Sequence, residues 1–246
     1  MTVQFFVERW AAWAPGLCDQ AAWRAWLRQP HTILFQDEPA LLEMPAMIRR
    51  RVERLGRVAL QATYWGQGEA HPCPIVFASR RGDISRSLQL LHQLAIGEPL
   101  SPAAFSMSVH NAIGALYSIA TAHTGPYTAV AAGEETIEAA FVEAIGQLVD
   151  GESEVLLVYY DEPMPAPYDV FQDRPEFARA MAYRIRLVES GGCSLQAGPT
   201  VDRLGDRDEP TALPSDLAAL KFLVSDGDSQ YVHAVGARRW VWSRHA

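Results

Sequence analysis

Apolar residues change their spacing repeatedly between Val109 and Tyr160, and those changes divide the stretch into elements. Ile113, Leu116, Tyr117 and Ala120 recur every three or four positions, which predicts a helix over Val109–Thr121 with one apolar face. Thr124–Gly125–Pro126 ends it, because proline lacks an amide donor and glycine tolerates the backbone of the turn. The apolar run Tyr127–Ala132 predicts a buried strand. After Gly133 the helical period returns at Ile137, Phe141, Ile145 and Leu148 and stops at Asp150–Gly151; Val155–Tyr160 predicts a second strand. Strand, tight turn, helix and strand form one β-α-β unit, a crossover that joins parallel strands.

The flanking chain reads in the same way. Val3–Phe6 predicts a first strand, and Trp10, Trp13, Trp23 and Trp26 sit at three-residue offsets in two short helical runs. Those tryptophans suit helical core packing, with a ligand-binding aromatic box as the other reading. From Pro45 a single long helix is predicted, with Met47, Ile48, Val52, Leu55, Val58, Ala59 and Ala62 on its apolar face. Pro74–Ser79 predicts a buried strand, and Asp83 caps a helix reaching Ile96. Beyond Tyr160 a proline-rich surface segment runs to Pro175. Glu176–Ala180 suggests a helical turn or two, Tyr183–Val188 a strand, and Ser190–Pro214 a loop. Ser215 is expected to cap a helix through Val224, and Tyr231–Trp242 to form one final strand. Asp226–Gly227–Asp228 reads as a turn, since the further ligands of a calcium loop are missing.

Composition narrows the functional classes. The 246 residues are 49% hydrophobic, enough for one substantial α/β domain over 1–246. A formal charge of −8 argues against general nucleic-acid binding, and no apolar run approaches a membrane span. The amino terminus lacks the pattern of a signal peptide, and three scattered cysteines (Cys18, Cys73, Cys193) suit a reducing cytoplasm. No metal-ligand spacing occurs, and no cofactor is implied. Against the acidic background, Arg49, Arg50, Arg51 and Arg54 are unusual. They are either a solvated, salt-bridged face or a dock for an acidic partner.

The junction Ala132–Gly133–Glu134–Glu135 carries the most chemistry. In α/β folds a sharp turn from strand to helix presents a residue at the sheet's carboxyl edge, beneath a helix amino terminus. Partial positive charge there lowers a thiol's pKa or holds an anion, yet the residues present are glutamates, which also simply favour a helix's first turn.

Gly125–Pro126, a small apolar strand and a helix start together resemble the surroundings of the nucleophile in β-ketoacyl synthases of the thiolase-like superfamily. Asn111 and the run Ser101–Pro102 with Phe105 match the approach to it. More closely, the segment is similar to the small synthase-like chain-length factors of aryl polyene pigment clusters. The resemblance implies a thiolase-like N-terminal half, a mixed, mostly parallel sheet flanked by helices. It places the family's reactive cysteine on Glu134 and the acyl tunnel at Ala104, Phe105, Met107, His110 and Asn111. For Ala104, Phe105 and Met107 ordinary core is the competing reading; for His110 it is a helix surface or a satisfied core position. The resemblance also sets Tyr127, Thr128, Ala129, Val130, Ala131 and Ala132 against a catalytic synthase partner, and makes the Arg49–Arg54 stretch a dock for acyl carrier protein.

A condensing synthase needs a cysteine to carry the acyl thioester and histidines to assist decarboxylation and hold the oxyanion. Glu134 replaces the thiol, and no HGTGT-like or NAH-like motif is present in the 246 residues. The expectation is a non-catalytic chain-length factor, paired with a synthase in type II polyketide or fatty-acid-like biosynthesis. A stand-alone thiolase-like enzyme with Glu134 as base or decarboxylation aid is the alternative, and a homodimeric carrier-recruiting scaffold a third.

Overall fold

The computed structural model describes residues 3–34, 37–172, 176–200, 213–225 and 227–246. In chain order the elements are β1 (Gln4–Trp13), α1 (Gln20–Arg28), α2 (Ala46–Arg49), α3 (Arg54–Gln67), β2 (Ile75–Ala78), α4 (Ile84–Ala95), α5 (Pro102–Ser106), α6 (Ala112–Thr121) and β3 (Tyr127–Val130). There follow a 3-10 turn (Gly133–Glu135), α7 (Thr136–Val149), β4 (Val155–Asp161), β5 (Arg179–Val188), β6 (Cys193–Pro199), α8 (Ser215–Val224), β7 (Gln230–Val235) and β8 (Arg238–Arg244). Among the described residues the strands form one sheet in the order β3-β2-β4-β5-β1-β6-β8-β7.

Helices cover both faces of its central strands. Leu157 and Tyr159 of β4 point into a core shared with α1, α7 and α8, while Leu156, Val158 and Tyr160 point into a second core under α3 and α6. Every residue of β4 is buried, as expected of a strand with both faces covered. The mixed α/β class is as the sequence indicates, but the balance within it differs. Only β2–β3 and β2–β4 are parallel; β4–β5, β5–β1, β1–β6, β6–β8 and β8–β7 are antiparallel. The parallel part is the β3-α7-β4 unit with β2 between its strands; of the rest, β1 and β5 extend the expected strands Val3–Phe6 and Tyr183–Val188, β6 is unassigned by the sequence, and β7 and β8 are merged in it.

Several expectations are corrected. Trp10 and Trp13 lie in β1, not in a helix. An odd offset in a strand sends side chains to opposite faces. Trp10 accordingly joins the first core and Trp13 the second. The helix expected from Pro45 breaks at Arg50–Glu53, where Val52 turns inward beside Gly56 and Glu53 becomes extended. A methyl at Gly56 would lie 2.7 Å from Val52 Cγ1. Met47, assigned to the apolar face, is 80% exposed. Glu176–Ala178 is not helical; the Glu176 carboxylate instead pairs with Arg81 at 2.9 Å. Cys193–Pro199, within the expected loop, is β6. The final strand is a hairpin, β7 and β8, turning at Gly236–Ala237 with Gly236 at φ +57°. Ser215 is the first residue of α8, and its hydroxyl donates to the Glu134 carbonyl rather than capping the helix. Asp226, the end of the expected Asp226–Asp228 turn, lies outside the described residues, as do parts of the proline-rich segment and of the long loop.

Candidate functional site at the carboxyl edge of the parallel strands

The carboxyl ends of β3, β2 and β4 converge, and the side chains there come from segments far apart in sequence. At the end of β3 the chain enters the Gly133–Glu135 turn with Gly133 at φ +59°, a left-handed backbone that side-chain-bearing residues rarely adopt. Thr136 locks the turn: its hydroxyl donates to the Gly133 carbonyl at 2.7 Å and accepts from the Ala132 amide at 3.0 Å. The two glutamates then diverge. Glu135 accepts from Trp240 Nε1 at 2.8 Å and pairs with Arg238, so the β7–β8 hairpin reaches over the start of α7. Glu134, about half exposed, pairs with Arg80 at 3.4 Å, and Ser215 Oγ donates to its carbonyl at 3.1 Å.

Arg80 stands at the end of β2, on a turn anchored from below. Asp161, 2% exposed at the end of β4, accepts from Ser79 Oγ at 2.9 Å, from the Arg80 amide at 3.3 Å and from Tyr159 Oη at 2.6 Å. Ser79 Oγ in turn accepts from the Gly82 amide at 2.8 Å. Burial pushes the Asp161 carboxyl up, while the Arg179 guanidinium and the hydroxyls of Tyr159 and Ser79 pull it down. Next to it Arg179 forms a buried two-point pair with Asp216, at 2.6 and 2.9 Å. Burial alone would favour losing the Arg179 proton; the Asp216 carboxylate outweighs it and holds the guanidinium charged. Glu162, also buried and pushed up by burial, accepts from Ser85 Oγ at 3.2 Å. Sequence reasoning missed this buried set. Its one local sign is an acid ending the otherwise apolar strand Val155–Tyr160.

The other expected residues fall into three groups. Ala104 and Phe105 lie on α5, capped by Ser101, and Phe105 is 60% exposed, which removes the core reading for it. Met107 packs against the second core. His110 and Asn111 precede α6; the His110 ring lies beside Gly82, and its backbone carbonyl is 3.5 Å from Tyr160 Oη. His110 is thereby brought to the end of β2, whereas Asn111 is exposed and its side chain caps nothing. Tyr127–Val130 is half-buried at one edge of the sheet, with Ala131 and Ala132 exposed beyond it, so the expectation of a fully buried strand is corrected. Of the basic residues, Arg49 donates to the Leu41 carbonyl at 3.1 Å, Arg54 is half-buried, and only Arg50 and Arg51 face solvent fully.

No thiol stands in the 131–136 turn; Cys73 and Cys193 are buried, and burial pushes both up, away from the reactive thiolate. Among the described residues no group of His, Cys, Asp and Glu is arranged to hold a metal ion, and no helix is long and apolar enough to cross a membrane. The site therefore offers a carboxylate at a helix start, flanked by Arg80, and no sulfur nucleophile.

Comparison with solved structures finds the same overall fold. A ketosynthase (ApeO) in complex with its chain length factor (ApeC) from Xenorhabdus doucetiae matches with a TM-score of 0.80 and 26% identity, over 99% of this chain and 100% of that one. The ishigamide ketosynthase/chain length factor matches at 0.62 and 15% identity, over 81% and 68%. AntDE:AntF, a type II polyketide synthase carrier protein in complex with its ketosynthase, matches at 0.59 and 13% identity, over 81% and 70%. The last two likenesses establish shared fold only. No curated protein sequence matches the chain. The family described as beta-ketoacyl synthase, N-terminal domain, matches residues 23–243, and the chain belongs to that family.

Proposed function

We propose that this protein is a non-catalytic chain-length factor that pairs with a catalytic β-ketoacyl synthase and shapes the acyl tunnel, in type II biosynthesis of the aryl polyene kind. The observation that carries the reading is Glu134. It stands in the strand-to-helix turn, at the position where the resemblance to β-ketoacyl synthases sets the reactive cysteine, and its carboxylate pairs with Arg80. A carboxylate there cannot carry an acyl group through a thioester.

Three further features support a partner. The β3 edge, Tyr127–Val130, offers unpaired backbone groups, and a sheet continued across a subunit boundary removes that liability. Leu91 and Leu94 on α4, Phe105 on α5 and Ile119 on α6 expose apolar surface on the elements leading into this strand. Xenorhabdus ApeO is described as complexed with its chain length factor, a pairing of the same kind. Ala104, Phe105, Met107, His110 and Asn111 would line the tunnel wall, and Arg50 and Arg51 would meet an acyl carrier protein.

Size exclusion after co-expression with neighbouring synthases tests the pairing. The protein is expected to co-elute with one of them, and Ala129→Pro, which removes a backbone donor facing the open side of the edge strand, is expected to release it. A chain that elutes apart from every such synthase contradicts the proposal.

A further inference from the structure

We infer that Asp161 is the positioning residue of the Glu134 turn: from beneath the sheet edge it fixes the Ser79–Gly82 turn and so aims Arg80 at position 134. The functional consequence rests on the reading of Glu134 given above, but the geometric claim stands without it.

Arg80 reaches Glu134 from a turn whose backbone is also tied by the Ser79 amide to the Val130 carbonyl at 3.2 Å and by the Ile84 amide to the Gly82 carbonyl at 2.9 Å. Between the end of β2 and Asp83, the cap of α4, the chain makes a bend containing Gly82 at φ +62°. Asp161 holds this bend at two points, the Ser79 hydroxyl and the Arg80 amide, and Ser79 extends the hold to the Gly82 amide. The donor set uses both carboxylate oxygens, since Oδ1 takes Ser79 while Oδ2 takes Arg80 N and Tyr159 Oη. A neutral amide of the same shape keeps one acceptor oxygen and presents an N–H₂ group to a donor at the other position. The Arg80 side chain then leaves the anchored backbone to meet Glu134 at 3.4 Å and Glu176 at 4.0 Å. The turn around position 134 is held from its other side in the same way. Ser215 donates to the Glu134 carbonyl, and the next residue, Asp216, is locked to Arg179. Both surface contacts to Glu134 thus sit next to a buried anchor.

A reporter thiol reads this geometry directly. In a Cys18→Ser background, which removes the exposed native thiol, Glu134→Cys places sulfur at the turn. The rate of alkylation against pH gives its titration midpoint, and a guanidinium held beside it lowers that midpoint. Arg80→Gln is expected to raise the midpoint by at least about half a pH unit. Asp161→Asn is expected to raise it as far while leaving Arg80 in place, and combining the two changes should add nothing further. Ser79→Ala, a milder cut in the same link, is expected to shift it in the same direction and serves if Asp161→Asn does not fold. Glu154→Gln, which loosens the Arg184 pair below the amino end of β4, is the matched structural control and should leave the midpoint unmoved. If Arg80→Gln moves the midpoint and neither Asp161→Asn nor Ser79→Ala does, or if Glu154→Gln moves it equally, Asp161 has no positioning role. If none moves it, Arg80 does not address position 134 and the inference fails. None of these outcomes depends on whether the protein pairs with a synthase, which the co-elution experiment decides separately.

Discussion

The Arg179–Asp216 pair gives the most quantitative test of the packing beneath the site. Arg179 and Asp216 are 3% and 2% exposed at the side chain, and their two-point contact leaves neither ion near water. Removing one member of such a pair strands the other charge and costs about 3–5 kcal/mol. Asp161 pairs with Arg179 across the β4–β5 ladder and gives the guanidinium a second carboxylate, so the lower end of that range applies. Asp216→Asn should therefore destabilise the fold by about 3 kcal/mol, a drop of about 1 M in the urea midpoint for a slope of about 3 kcal/mol/M. Urea unfolding followed by tryptophan fluorescence reads it, with unchanged slope as the sign that both end states are preserved. Replacing both members, Arg179→Met with Asp216→Leu, should recover part of that loss, because Arg179 is no longer stranded although Asp161 gives up the cation beside it. A single-variant loss under about 1 kcal/mol, or a double variant no better than the single, refutes the reasoning.

Other consequences follow from particular positions. Gly133→Ala meets no neighbouring atom, so its cost is conformational alone: a loss of about 1 kcal/mol, partly recovered in Gly133→Asn, measured by the same unfolding assay. Gly66→Ala puts a methyl 2.5 Å from Ala182 Cβ and forces α3 off β5; it should cost about 1–3 kcal/mol despite alanine's better helix propensity. His123 is buried at the turn before β3, and burial lowers its pKa from the ordinary 6.5. Above pH 6.5 folded and unfolded forms are both neutral there; below it the unfolded chain takes up a proton that the folded chain resists. Stability should fall as pH drops below 6.5, and His123→Gln should flatten the melting-temperature profile in that window.

The parts of this fold that were legible in the sequence are those with local causes. The unit from β3 through α7 to β4 announces itself by a change of apolar period bracketed by Gly and Pro, and its boundaries differ from expectation by a few residues only. The Asp83 cap was equally plain, since a cap acts within one helical turn. What failed depended on distant partners. Trp10 and Trp13 share a spacing that suits a helix face, and only the long pairing of β1 with β5 makes it a strand. Gly191–Gly192 and Pro199 make β6 look like a loop, although it pairs with β8 along its whole length. At the site, Glu134 was singled out by the resemblance to β-ketoacyl synthases, counted from Gly125–Pro126. Its holder Arg80 lies 54 residues away, and the Ser79–Asp161 bond spans 82, so no periodicity or motif could join them.

The most direct measurement of the central claim is carbon–carbon bond formation from malonyl thioesters, assayed with the purified protein alone, with its partner synthase, and with the Glu134→Gln form of that complex. The account predicts no condensation by the isolated chain and nearly undiminished condensation by the complex carrying Glu134→Gln. Condensation by the isolated chain, or its abolition in the complex by Glu134→Gln, would contradict it.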